Sequence, residues 1–158
     1  MNISLRNFSQ NDLELLSKWD SDINAQQYMS RCEPEVYAQT NIMQSYLSAW
    51  YVILMDEQPI GTIWFEKETI DDDFVILGIL LGNATHFGKG IGRKAIELGL
   101  QRAANRLEFS KVRLHVRKSN KRAINCYIKC GFEITGEDTK EMDEGEVIPF
   151  IEMEYQRK

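Results

Sequence analysis

The chain is 158 residues long with a net charge of −5, three cysteines and 43% hydrophobic residues, which suits one globular domain, residues 1–158, with a sizeable core and excludes a disordered chain. No apolar run approaches the roughly 20 residues of a membrane span, and an acidic balance, with an isoelectric point near 5.1, disfavours nucleic acid, whose phosphates require a basic face. The N-terminal stretch lacks the apolar core of a secretion signal, and Cys32, Cys126 and Cys130 are odd in number, so reduced thiols in a cytoplasmic protein are expected rather than a disulfide framework.

A strand over 3–6 is predicted first. Ser9-Gln10-Asn11-Asp12 then has the spacing of a capping box, and Leu13, Leu16 and Ile23 recur at near-helical intervals beside Trp19, which predicts a first helix. Pro34 suits the first position of a second helix with Val36, Thr40, Met43 and Leu47 along one face, and the two helices are expected to pair. Trp19, Tyr28, Tyr37 and Tyr46, with Met29, each suit core packing; as a group they also suit the wall of a substrate pocket. Apolar and β-branched runs over 50–55 and 60–65, separated by Asp56-Glu57-Gln58-Pro59, predict an antiparallel hairpin. Asp71-Asp72-Asp73 reads as a solvated turn before a long strand over 74–81, whose continuous apolar run suits burial on both faces.

That strand leads into Gly88-Lys89-Gly90-Ile91-Gly92-Arg93. Residues without a Cβ let backbone N–H groups approach an anion closely, and the positive end of a following helix dipole would point at it, so the stretch suits a pyrophosphate cradle; a plain strand-to-helix turn is the alternative. Ile91, Ala95, Leu98 and Leu107, with Ile96, Leu100 and Ala103 alongside, predict a helix of roughly four turns. Val112, Leu114 and Val116 alternate with Arg113, His115 and Arg117, which predicts a strand lying parallel to 74–81 in a βαβ unit. Ser119 or Asn120 caps a further helix, with Ala123, Ile124, Tyr127 and Ile128 on its inner face and Gly131 as its left-handed stop. Closing strands are predicted over 132–135 and 148–155, joined by an acidic, mobile loop over 137–146. Cys126 and Cys130 are four apart, but no histidine or second cysteine pair stands at zinc spacing, so no metal is expected.

Gly-Lys-Gly-Ile-Gly-Arg at 88–93, followed by Ser-Asn-Lys-Arg-Ala-Ile-Asn-Cys-Tyr-Ile-Lys-Cys-Gly-Phe at 119–132, resembles the GNAT superfamily of acyl-CoA-dependent N-acetyltransferases. The pattern is most similar to the ribosomal-protein N-terminal acetyltransferase-like and aminoglycoside 6'-N-acetyltransferase-like groups. The resemblance implies an α/β (α+β) single-domain fold: a mixed central sheet of six to seven strands flanked by about four helices, with a parallel pair splayed at the cofactor site. It also implies acetyl-CoA as cosubstrate. By resemblance, the backbone at Leu81 and Gly82 would pair with pantetheine, Phe87, Gly88, Lys89, Gly90, Ile91, Gly92 and Arg93 would surround the pyrophosphate, and Asn120, Ala123 and Tyr127 would hold the cofactor's arm. The family usually carries Arg or Gln where this chain has Phe87, which removes a side-chain donor and shifts the grip to backbone N–H groups.

Acetyl transfer to an amine needs a neutral amine, a polarised thioester carbonyl and an acid for the departing thiolate. Tyr127 matches the family's general-acid tyrosine, and a phenol with a reference pKa near 10 stays protonated until thiolate departs; plain packing of helix on sheet is the alternative role. His115 is the candidate base, at a position where similar enzymes carry a carboxylate, and an imidazole with a reference pKa near 6.5 suits neutral pH. Because it shares a strand face with Arg113 and Arg117, it equally suits a solvated position. Glu66, Asp73 and water are reserve bases, and His86 suits a surface position near the nucleotide. A cysteine acyl-enzyme is disfavoured, because no base is placed beside Cys126 or Cys130. The expected activity is direct transfer in a ternary complex to a small-molecule or peptide amine, a protein N-terminus or small amine first, with an aminoglycoside or polyamine as the alternative. A non-catalytic CoA-binding or partner-binding module is the reading from a different class. Neither nucleic acid nor membrane is an expected partner, and the molecule is expected to be a monomer or homodimer.

Overall fold

Alternating apolar residues and turn-forming breaks divide the chain into eleven regular elements in the computed structural model, which describes residues 1–43, 45–142 and 144–157. In order they are β1 (Ile3–Asn7), α1 (Leu13–Ile23), α2 (Glu35–Thr40), β2 (Ser48–Met55), β3 (Gln58–Glu66), β4 (Phe74–Leu81), α3 (Ile91–Ala103), β5 (Lys111–Arg117), α4 (Lys121–Lys129), β6 (Glu133–Glu141) and β7 (Val147–Gln156). The strands form one mixed sheet in the order β1-β2-β3-β4-β5-β7-β6, in which only β4 and β5 run parallel. No helix among the described residues is long and apolar enough to cross a membrane.

Each face of the sheet has its own core. Val112, Leu114 and Val116 of β5 join Ile91, Ala95 and Ile96 of α3 and Ile124 of α4 on one side. On the other, Leu16, Trp19 and Ile23 of α1 pack against Trp50, Val52, Trp64 and Leu80. Burying one such side chain is worth about 1.5–3 kcal/mol, so the two layers fix the sheet between them. Gly82, just past β4, is needed for this packing, since a Cβ there would overlap the Trp19 indole. The entry to α1 is held by Asp12, which accepts two hydrogen bonds of 2.8 Å from the Arg6 guanidinium and one of 2.9 Å from the Ser9 N–H. Arg6 accordingly holds the Asp12 carboxyl below its ordinary range.

Three expectations about elements are corrected. The second helix stops at Thr40, because Asn41 takes the left-handed conformation (φ 58°), so Met43 and Leu47 lie beyond it. It does not pair along α1; instead the buried Glu66 carboxylate accepts the N–H groups of Glu35 (3.0 Å) and Val36 (3.2 Å) and caps α2 from the end of β3. The stretch 137–141, expected as mobile loop, is strand: β6 continues to Glu141 and pairs with β7. Its residues are almost all exposed because β6 is the edge strand, so they carry no apolar alternation to announce it.

Candidate active site

Parallel pairing between β4 and β5 covers only Phe74 to Ile76 with Lys111 to Arg113; beyond it the strands diverge. A cleft of about 280 Å³ opens in the gap and passes through the sheet, lined by Gly78, Leu80 and His115 from one face and by Ile96, Ala123 and Tyr127 from the other. The alternation of the antiparallel β3–β4 ladder determines which backbone groups reach it. Gly82 donates its N–H to the Ile60 carbonyl at 2.8 Å, so the even-numbered residues of β4 point at β3, while Ile79 and Leu81 turn N–H and C=O toward the gap. The expectation for Leu81 fits this geometry. At Gly82 the amide is already engaged by Ile60, while Ile79, which the sequence reading did not single out, presents the same open backbone groups as Leu81, and the same alternation, counted back from Leu81, identifies it.

At the C-terminal end of β4 the chain makes a short 3-10 turn and enters the glycine loop. Gly88 (φ 73°) and Gly90 (φ 80°) are left-handed, and a Cβ at either would meet nothing within 4 Å, so the loop is an open concavity of backbone. The first intrahelical bond of α3 runs from Lys94 N–H to Gly90 O at 3.1 Å, which leaves the N–H groups of Ile91, Gly92 and Arg93 pointing out of the helix end. These amides, together with the dipole, fit an anionic diphosphate. The Ile91 side chain turns into the core, so only its backbone is available there. Lys89 is exposed, and Arg93 pairs with Glu97 at 3.5 Å.

Facing the loop, α4 carries Asn120 at its N-cap, whose side-chain oxygen accepts the Ala123 N–H at 3.3 Å and leaves its NH₂ group free to donate. Gly131 (φ 100°) ends the helix as expected, with Phe132 N–H donating to Tyr127 O at 3.0 Å. Phe87, which supplies no side-chain donor to the loop, has a partner: the Arg122 guanidinium lies 3.7 Å from its ring centroid, and Tyr28 meets the ring edge-on. A cation thus returns to the loop from α4 rather than from position 87. Tyr127 is half-buried on the cleft wall, and desolvation, followed by the neighbouring Cys126, raises its phenol above the ordinary value. It therefore stays protonated at neutral pH. Cys126 also lines the cleft; its thiol is lowered to about 7, chiefly by its interaction with the neighbouring Cys130 thiol and further by Arg122, Lys129 and Arg93.

His115 stands on the opposite face of the sheet from Tyr127, next to the point of divergence. Its Nε2 is 3.5 Å from Glu152 of β7, and the Phe150 ring lies 5.2 Å away. The reserve bases are placed elsewhere: Glu66 is occupied in capping α2, and Asp73 sits at the closed end of the β4–β5 pair, 3.7 Å from Lys111. His86 is half-buried outside the cleft lining, and its Nδ1 has no hydrogen-bond partner. Of the aromatic group, Tyr28 lines the cleft together with Met29; Trp19 and Tyr37 belong to the α1-side core, and Tyr46 is exposed. Among the described residues no cluster of three or more His, Cys, Asp or Glu side chains forms that could ligate a metal.

Comparison with known proteins agrees with this geometry. Residues 2–133 match the family model described as an acetyltransferase (GNAT) domain. The aminoglycoside N(6')-acetyltransferase type 1 of Klebsiella pneumoniae is 29% identical over an alignment of 155 residues that covers 85% of this chain and 75% of the relative. Among solved structures, an aminoglycoside acetyltransferase in complex with coenzyme A superposes with a TM-score of 0.74 at 26% identity, covering 99% of this chain and 95% of that one. The spermidine N-acetyltransferase of Vibrio cholerae, solved with CoA and spermine, shares the fold with a TM-score of 0.78 at 21% identity, over 98% and 95% of the two chains. The chain belongs to the GNAT acetyltransferase family and is an acetyl-CoA-dependent N-acetyltransferase.

Proposed function

We propose that the acceptor is a small primary amine entering from the α1–α2 side of the sheet, and that His115 removes its proton while Tyr127 donates one on the opposite side. One observation carries this reading: the two side chains line a single cleft from opposite faces, where β4 and β5 part. Acetyl-CoA, when bound, supplies the thioester carbonyl that the amine attacks. Ile79 and Leu81 would hold the pantetheine arm in strand-like pairing; the N–H groups of Ile91, Gly92 and Arg93, with the NH₂ group of Asn120 and the Arg122 guanidinium, would hold its polar parts. Ala123, without a bulky side chain, leaves room along the arm. Glu152 orients the His115 ring, so the imidazole presents its other nitrogen to an incoming ammonium. Three free cysteines support a reducing, cytoplasmic setting.

An aminoglycoside acceptor is the second reading, favoured by the similarity to the Klebsiella pneumoniae enzyme. Roles and acceptor separate in one set of kinetics. Tyr127→Phe should lower kcat by about 10²-fold with little change in acetyl-CoA affinity. His115→Ala should lower kcat/KM for the amine by a similar factor, about 10²-fold, with a deficit that shrinks as pH rises toward the acceptor's own pKa, where the amine deprotonates unaided. Unchanged turnover in either variant removes that residue from its role.

A further inference from the structure

The described residues that line the cleft include Arg31, Arg117, Arg122 and Lys140 and no aspartate or glutamate. That is the reverse of what a polycationic acceptor needs. One of the four cations lies toward the cofactor: Arg122 rests on Phe87 at the glycine loop. Arg117 ends β5 on the same strand face as His115, two positions on, and adds a cation to the acceptor side. Arg31 is already neutralised, by Glu35 and by Glu66 at 3.5 Å. Lys140 is different. It projects from β6 across the mouth of the cleft, where its Nζ donates to Ser30 Oγ at 3.3 Å, and among the described residues no carboxylate lies within ion-pairing distance of it. Among the described residues, the acidic ones nearest in sequence, Glu137, Asp138, Glu141 and Glu144, are exposed and outside the cleft lining, and Glu152 is engaged with His115.

We infer that the acceptor is an amine that also carries a carboxylate, docked on Lys140 and Ser30 while its amino group meets His115. This rests on the reading of His115 as the base. Sheet register sets the length of such a molecule. His115 pairs with Glu152, and Lys140 with Ile148, so the two residues stand two strands and four positions apart. At about 3.3 Å per residue and about 4.8 Å between strands, that is roughly 16 Å between their Cα atoms in a flat sheet, before the side chains reach toward each other. Amine and carboxylate are therefore separated by several bonds, as in an ω-amino acid or a short acidic peptide, rather than sharing one carbon. A second ammonium at that end would instead face Lys140, a like-charge contact that costs affinity.

A matched set of amines tests this: 6-aminohexanoate, hexylamine and 1,6-diaminohexane, with kanamycin and spermidine, assayed by release of free CoA. The wild type should use 6-aminohexanoate with a kcat/KM about tenfold or more above that of 1,6-diaminohexane, mainly through KM. In Lys140→Glu the ratio, normalised to hexylamine so that a folding defect cancels, should fall by about tenfold or invert. The inference is overturned if the diamine, kanamycin or spermidine is the better substrate, or if Lys140→Glu leaves the ratio unchanged. It is also overturned if acetyl-CoA raises the melting temperature yet none of the amines releases CoA. Failure of acetyl-CoA to raise the melting temperature of the wild type overturns the reading of the cofactor site instead.

Discussion

Cys126 and Cys130 look incidental in the sequence, two thiols four positions apart, yet the helix sets the two thiols in interaction and turns Cys126 toward the cleft. The spacing was legible; which thiol is favoured as thiolate was not, because it depends on Arg122, Lys129 and Arg93 gathering around Cys126. The consequence is a graded set of thiols. Cys126 is lowered to about 7, Cys130 is raised by its interaction with Cys126, and Cys32, half-buried, is raised to about 12 by desolvation and by Asp20 and Glu33. Only the thiolate is nucleophilic. Iodoacetamide at neutral pH should therefore modify Cys126 first, with a rate that climbs through pH 7, and acetyl-CoA should slow it; peptide mass mapping that found Cys32 modified first would contradict this arrangement. Arg122 on Phe87 is the same kind of finding at a longer range, since no local pattern joins positions 87 and 122.

Elements that announce themselves by local chemistry were read correctly, and those defined by distant partners were not. The strand, glycine loop and helix over 74–103 form a contiguous unit whose apolar run, left-handed glycines and helical period are all written within it. By contrast, α2 owes its position to Glu66, thirty-one residues from Glu35, and β6 to pairing with β7 at an exposed edge. Gly82 shows a role that no local pattern announces: it reads as cofactor backbone, and the structure makes it the seat of Trp19. Gly82→Ala should therefore destabilise the fold by about 1–3 kcal/mol through overpacking. A lowered urea midpoint with a shifted tryptophan emission is the expected outcome, and loss of cofactor affinity with unchanged stability would return Gly82 to the binding site.

At the scale of the molecule, the sheet is two blocks, β1 to β4 and β5 with β7 and β6, whose strands are joined by only three residue pairs. The shared core under α3 and α4 carries the rest of the connection. An arm lying in the gap would act as a strand between the blocks, hydrogen-bonded to β4 by the groups that the ladder leaves unpaired. Binding to the native state alone stabilises it by about 2.7 kcal/mol at a ligand concentration of 100 Kd, and for a domain of this size each kcal/mol raises Tm by about 2–4 °C. A melting shift of about 5–10 °C is thus expected with saturating acetyl-CoA. That shift alone would not say where the ligand lies; amide exchange would. The Ile79 and Leu81 N–H groups should exchange more slowly in the complex, while those of Leu80 and Gly82, which point at β3 in the free protein, should change little beyond the global gain in stability. Equal protection of all four amides would mean that the ligand stabilises the sheet from elsewhere, and the assignment of Ile79 and Leu81 as its backbone partners would fall.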